Sequence, residues 1–177
     1  TWADVALAVS RFEPVTLVVD PDAVVVARRW IGEGRHGHYR VDLLEAPLDD
    51  AWMRDIGPTF VVSPTGELGA VDWVFNGWGA QEWATWGNDA RIGEFVTGRA
   101  GATRVASDLV NEGGGIHVDG LGTVLLTETV QLDPGRNPGL TRADVEAELA
   151  ATIGATTCIW LPRGLTRDYD EFGTRGH

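Results

Sequence analysis

Two stretches decide the fold: Gly101-Ala102-Thr103-Arg104-Val105 and Gly154-Ala155-Thr156-Thr157-Cys158-Ile159-Trp160-Leu161. Each has a glycine suited to ending a helix, then β-branched or aromatic residues suited to a strand. Ahead of the second, Thr141 with Asp144 three residues on reads as a capping box, and Val145, Leu149 and Ile153 share one helical face. Ahead of the first, a helix is predicted at about Asn88 to Arg99, feeding a short strand through Val105. Further upstream, each helix is preceded by a hairpin. Gly115 to Val118 and Thr123 to Thr127 flank Asp119-Gly120-Leu121-Gly122, while Gly57 to Ser63 and Leu68 to Phe75 flank Ser63-Pro64-Thr65-Gly66-Glu67. The chain therefore carries two consecutive strand–strand–helix–strand units, each a little over fifty residues long.

The tail of another unit precedes them. A helix is predicted over Ala3 to Phe12, then a strand over Val15 to Val19. A second helix is capped by Asp20, has Pro21 at its first position and continues from Val24 to Trp30. A loop from Gly32 to His38 leads to a strand from Arg40 to Glu45. Repeats of this length stack or close radially, burying their apolar faces on one another. Two and a half units do not complete such an array. Thr1 is not an initiator Met and the polar run Thr166 to His177 has no clear terminating element, so both ends read as cuts.

Length and composition set outer bounds. With 177 residues and 44% hydrophobic content, the expectation is one domain, spanning residues 1–177. A formal net charge of -12 argues against nucleic acid or an anionic membrane as partner, because both require clustered Lys and Arg. No apolar run approaches the roughly 20 residues that span a bilayer, and Asp4 and Arg11 interrupt what a secretory segment would keep apolar. The single cysteine, Cys158, forms no internal disulfide, so a cytoplasmic location is expected.

Three polar, Gly-rich segments fall at strand ends or turns. In Asp49 to Thr59, Arg54 is expected to pair with Asp49 or Asp50, leaving Asp55 free for a ligand. A carboxylate takes a guanidinium in a two-bond fork and an indole face attracts its charge, which suits Asp55 and Trp52; a solvated, salt-bridged turn accounts for the same composition. In Asn111 to Gly120, three consecutive glycines allow close backbone approach, and Glu112 is a candidate to orient a histidine. No Lys-Ser/Thr follows, so this is not a phosphate loop. His117 alternates with Ile116 and Val118 and reads as solvent-facing or structural. The third segment, Gly173 to His177, reads by itself as a tail. His36 and His38 lack a third ligand for zinc, and Cys158, in an apolar strand without a neighbouring charge to activate it, reads as a core residue.

Taken together, residues 49–62 (DDAWMRDIGPTFVV), 74–79 (VFNGWG), 111–120 (NEGGGIHVDG), Arg136-Asn137-Pro138, 160–165 (WLPRGL) and Gly176-His177 resemble the agmatine deiminase family. That family lies within the bacterial peptidyl-arginine-deiminase-like branch of the guanidine-modifying superfamily. The resemblance implies an α/β fold, a five-bladed α/β propeller (pentein) of ββαβ modules, of which this chain supplies about three, some partial. It implies a C–N hydrolase that converts agmatine to N-carbamoylputrescine and ammonia in putrescine and polyamine biosynthesis, with no metal or organic cofactor. A cysteine thiolate attacks the guanidinium carbon and histidine transfers the protons. Carried over by position, Asp55 clamps the guanidinium, Trp52 lines the pocket, Glu112 contacts substrate or steadies the histidine, and His177 is the acid/base.

In the family a second guanidinium-binding Asp stands two residues past the histidine, and the nucleophile lies in a late Gly-rich loop. This chain contains neither, Cys158 does not match the nucleophile's position, and the family's first strand with its Trp-rich leader is also missing. The fragment alone is therefore expected to be inactive, and a homo-oligomer is allowed for the full-length enzyme. Two alternatives stay open: a peptidyl-arginine deiminase and a non-catalytic guanidinium- or polyamine-binding module.

Overall fold

The computed structural model describes residues 1–33 and 38–171, in two compact units, Thr1–Leu48 and a second that begins at Asp49. In the first unit, α1 (Trp2–Val9) opens with a capping box between Thr1 and Asp4, and β1 (Val15–Val19) follows. The Asp20 side chain accepts from the Asp22 N–H, and a 3-10 turn from Pro21 runs straight into α2 (Val24–Glu33). That helix continues through Gly32, where a loop was expected; glycine in a last helical turn is tolerated. β2 (Val41–Glu45) pairs parallel to β1, Val15 opposite Val41.

The second unit contains the repeat. After the single turn α3 (Met53–Ile56), β3 (Thr59–Val62) and β4 (Leu68–Val74) form the expected hairpin. The short turn α4 (Gly77–Ala80) follows, then α5 (Ile92–Ala100), which ends at Gly101 with φ of 65°. β5 (Thr103–Val110) returns parallel to β4, Gly69 opposite Thr103. This strand does not stop near Val105. Ser107 is buried within it because its hydroxyl donates to Glu148 Oε1 at 2.6 Å, so a polar residue sits in the strand interior with its hydrogen bond made.

The same order recurs. β6 (Ile116–Val118) and β7 (Thr123–Thr127) are antiparallel. α6 (Glu128–Gln131) and α7 (Arg142–Ile153) follow, the latter with the Thr141–Asp144 capping box and Gly154 at φ of 70°. β8 (Thr157–Leu161) lies parallel to β7, Thr123 opposite Thr157. The polar run after Thr166 begins with a further helix, α8 (Thr166–Asp170).

One apolar core joins both sheets of this unit: Val71, Trp73 and Leu109 meet Ile116, Val124, Leu126 and the Val145 and Leu149 face of α7. The fold is thus mixed α/β in small sheets, with two ββαβ repeats. Within each sheet the hairpin and parallel return bring the C-terminal ends of the second and third strands to the N-terminal end of the first. Among the described residues no helix is long and apolar enough to cross a membrane.

Candidate active site

The acids ahead of β3 first lock a loop. Asp49 and Asp50 donate their backbone N–H groups to Asp89 Oδ1 and Oδ2 at 2.9 and 3.0 Å. In return, Asp49 Oδ2 accepts from the backbone of Asn88 at 2.6 Å and Asp89 at 3.3 Å. Burial pushes the Asp89 carboxyl above its ordinary value; the neighbouring Asp49 and Asp50 charges add to this and the two backbone donors oppose it. Arg54 therefore does not take Asp49 or Asp50 as partner. Its Nη2 reaches the Ile116 carbonyl at 3.4 Å, a neutral acceptor on the neighbouring repeat, because both acids are committed to the backbone.

Nor is Asp55 free. Its Oδ1 accepts from the Gly114 N–H and its Oδ2 from the Trp78 indole Nε1–H, both at 3.1 Å. This fixes the carboxylate at the edge where α3, the end of β4 and the glycine run after β5 meet. The approach explains the glycines: a Cβ at Gly113 would lie 2.2 Å from the Arg54 carbonyl oxygen, and one at Gly115 would press on Asn111 and Val130 at 3.0 Å. Gln131 Nε2 ties the same run down, donating to Asn111 Oδ1 at 2.9 Å and to the Gly115 carbonyl at 3.1 Å.

Glu112, one residue before the glycines, is wholly buried. Arg136 Nε donates to its two oxygens at 2.9 and 3.2 Å, and Arg136 Nη1 donates to Asp133 Oδ2 at 3.0 Å. Both Glu112 and Arg136 side chains are 0% exposed, so the pair's charges compensate in a dry setting. Among the described residues, the buried Arg136 Nη2 has no hydrogen-bond partner. Asn137 closes the loop by donating to the Val110 and Gln131 carbonyls and accepting from the Val110 N–H.

Two tryptophans are linked to Asp55, Trp78 through its indole and Trp52 through its backbone carbonyl, which accepts from the Asp55 N–H at 2.8 Å. Trp52, at the start of α3, is 49% exposed. Trp78 is buried, stacks on Trp83 with centroids 5.5 Å apart and meets Phe75 edge-on at 5.1 Å. Of the sequence-predicted residues, Asp55 lies on α3, Trp52 caps its start and Glu112 immediately precedes the glycine run that α3 touches, while His177 and His36 lie outside the described residues. His38 and His117 are exposed. Cys158 sits half-buried on β8, its thiol pushed up by burial and by Glu146. Sequence reasoning assigned no role to Trp78, Gln131, Asp133 or Arg136. The available signals were a tryptophan between two glycines, at 77–79, and a charged Arg-Asn-Pro in a loop.

The ensemble offers one carboxylate held by two N–H donors beside indoles, and a second fixed by a buried arginine. A planar delocalised cation suits the first, while the second is already compensated by Arg136.

Residues 1–177 match the family described as Porphyromonas-type peptidyl-arginine deiminase. A Streptomyces coelicolor relative is 60% identical over 176 residues, which is 99% of this chain and 50% of the relative. The agmatine deiminase of Pseudomonas fluorescens is 42% identical over 168 residues, 93% of this chain and 44% of that protein. Among solved structures, the agmatine deiminase of Enterococcus faecalis superposes with a TM-score of 0.88 at 34% identity, covering 99% of this chain and 47% of that one. The chain spans about half the length of the curated relatives it matches.

Proposed function

The chain belongs to the Porphyromonas-type peptidyl-arginine deiminase family, and on that premise we propose that it is the guanidinium-holding part of a longer agmatine deiminase. The observation that carries this reading is Asp55, held on both oxygens by Gly114 and Trp78 beside the exposed Trp52. In this reading Asp55 takes the substrate guanidinium in a two-bond fork, Trp52 covers its face, and Glu112, steadied by Arg136, orients His177. Holding the guanidine cationic favours attack at its carbon. A thiolate from outside this chain adds to that carbon, His177 protonates the departing ammonia, and water activated by the same histidine then releases N-carbamoylputrescine and regenerates the thiolate. The raised thiol value of Cys158, and its site on β8, support a nucleophile elsewhere.

A five-bladed propeller is the architecture we propose for the whole enzyme, with residues 1–177 as one incomplete propeller domain. The registers support it. In the second sheet the paired Leu125 and Ile159 are 37% and 48% exposed, an apolar face at the edge of the repeat. A further module would cover that face. The single cysteine fits a cytoplasmic enzyme.

The test is turnover by the full-length protein. With agmatine, one ammonia and one N-carbamoylputrescine are expected per substrate. Asp55→Asn should lower kcat/KM at least a hundredfold while leaving the melting temperature within a few degrees. An unaffected variant would overturn the role of Asp55. The family description favours a second reading, peptidyl-arginine as substrate, and a higher kcat/KM on a peptide arginine than on agmatine would select it. Binding without any turnover would select a non-catalytic module.

A further inference from the structure

Four consecutive residues, Gly77, Trp78, Gly79 and Ala80, have φ of 69°, 59°, 90° and 56°. The Ala80 N–H donates to the Asn76 carbonyl at 2.9 Å and the Gln81 N–H to the Gly77 carbonyl at 3.2 Å, so α4 is one turn of left-handed helix. For the L-residues Trp78 and Ala80 this conformation is costly, since Cβ crowds the following carbonyl. Such strain persists only where its surroundings over-determine it. Here they do. Asn76 Oδ1 accepts from the Gly79 N–H at 2.9 Å, Asn76 Nδ2 donates to the Gly135 carbonyl at 2.9 Å, and Gln81 Nε2 donates to the Trp78 carbonyl at 3.2 Å. The glycines permit contacts that a Cβ would block: one at Gly77 would lie 2.3 Å from the Trp86 ring, and one at Gly79 would lie 2.6 Å from Asp133 Oδ2.

The left-handed turn carries a bulky tryptophan where a third glycine would cost less. Its ring is buried between Phe75 and Trp83, and its one polar atom donates to Asp55. We infer that α4 is a positioning device for the substrate-binding carboxylate: Trp78, locked by the left-handed turn, aims Nε1–H at Asp55 Oδ2 and sets the plane in which Asp55 meets a guanidinium. This rests on reading Asp55 as the guanidinium-binding group. Trp78 acts through Asp55 and does not touch the reacting atoms. Because Gly79 abuts the Asp133–Arg136 pair that holds Glu112, the same turn braces the buried carboxylate.

Trp78→Phe keeps an aromatic ring, smaller than the indole, and removes the donor. In the full-length enzyme this variant should lose roughly ten- to a hundredfold in kcat/KM for agmatine, the scale of one hydrogen bond to a charged group. Calorimetric affinity for agmatine should fall in the same variant. In an Asp55→Asn background the same change should cost less than twofold further, because the group it positions has already lost its charge. A loss that is fully additive with Asp55→Asn, or a kcat/KM within twofold of wild type, overturns the inference while leaving the function standing. A wild-type protein that neither binds nor turns over agmatine overturns both. A measurement on the folded wild type guards against a variant that does not fold. The indole N–H resonance with through-space contacts to the Phe75 ring should shift on agmatine addition, and an unmoved resonance at saturating agmatine counts against Trp78.

Discussion

Glu112 and Arg136 are both cut off from water, and each makes the other tolerable. Removing one partner of such a pair leaves a buried charge uncompensated, which costs about 3–5 kcal/mol. Arg136→Met should therefore lower the urea-unfolding free energy of the full-length protein by that amount and suppress activity; Glu112→Gln in the same background should recover part of the stability. Cys158 makes the opposite case. Its thiol value is raised, so the folded state favours the neutral form, and its contribution is intact below about pH 9 and lost as pH rises through the folded value. Cys158→Ala should retain kcat for agmatine, and the wild type should lose stability faster than this variant above pH 9 in thermal melts. Residue type alone singled out Asp55 and Trp52 as candidates for a guanidinium and Glu112 as a candidate to orient a histidine. Arg136 and Trp78 were not singled out, because their roles depend on which strand ends the topology brings together.

Elements with ordinary local chemistry were equally legible. The capping box of α7, the αL glycines at 101 and 154, and both hairpins stand where turn and cap residues put them. Thr141→Ala removes that cap and should cost about 1 kcal/mol in urea unfolding at neutral pH. The Asp144 carboxyl is held below its ordinary value first by the Thr141 hydroxyl and then by the Thr141 backbone N–H. Its contribution is present above about pH 4 and fades as pH falls through the lowered value, so the difference between Thr141→Ala and wild type should narrow in acid. What stayed hidden was structure that local preference opposes. No propensity rule sends a tryptophan into a left-handed turn, and nothing in Ser107 alone says that Glu148 keeps β5 continuous past Val105.

For the whole molecule, the repeat in the sequence foretold the two ββαβ modules, and both are observed, the first with a register shift between Asp72 and Val74 that the second lacks. The number of modules was not written in that repeat; it came from resemblance and is supported by the uncovered Leu125 face and by relatives about twice as long. An isolated 177-residue chain would expose that face and its unpaired strand edges, and is expected to self-associate in sedimentation experiments. The central claim is that these residues hold the guanidinium while the nucleophile comes from outside them. Ammonia release from agmatine, measured side by side on the isolated 177-residue chain and on the full-length protein, tests it most directly. Stoichiometric release by the full-length protein with none from the chain is the predicted result, and sustained release by the chain alone would contradict it.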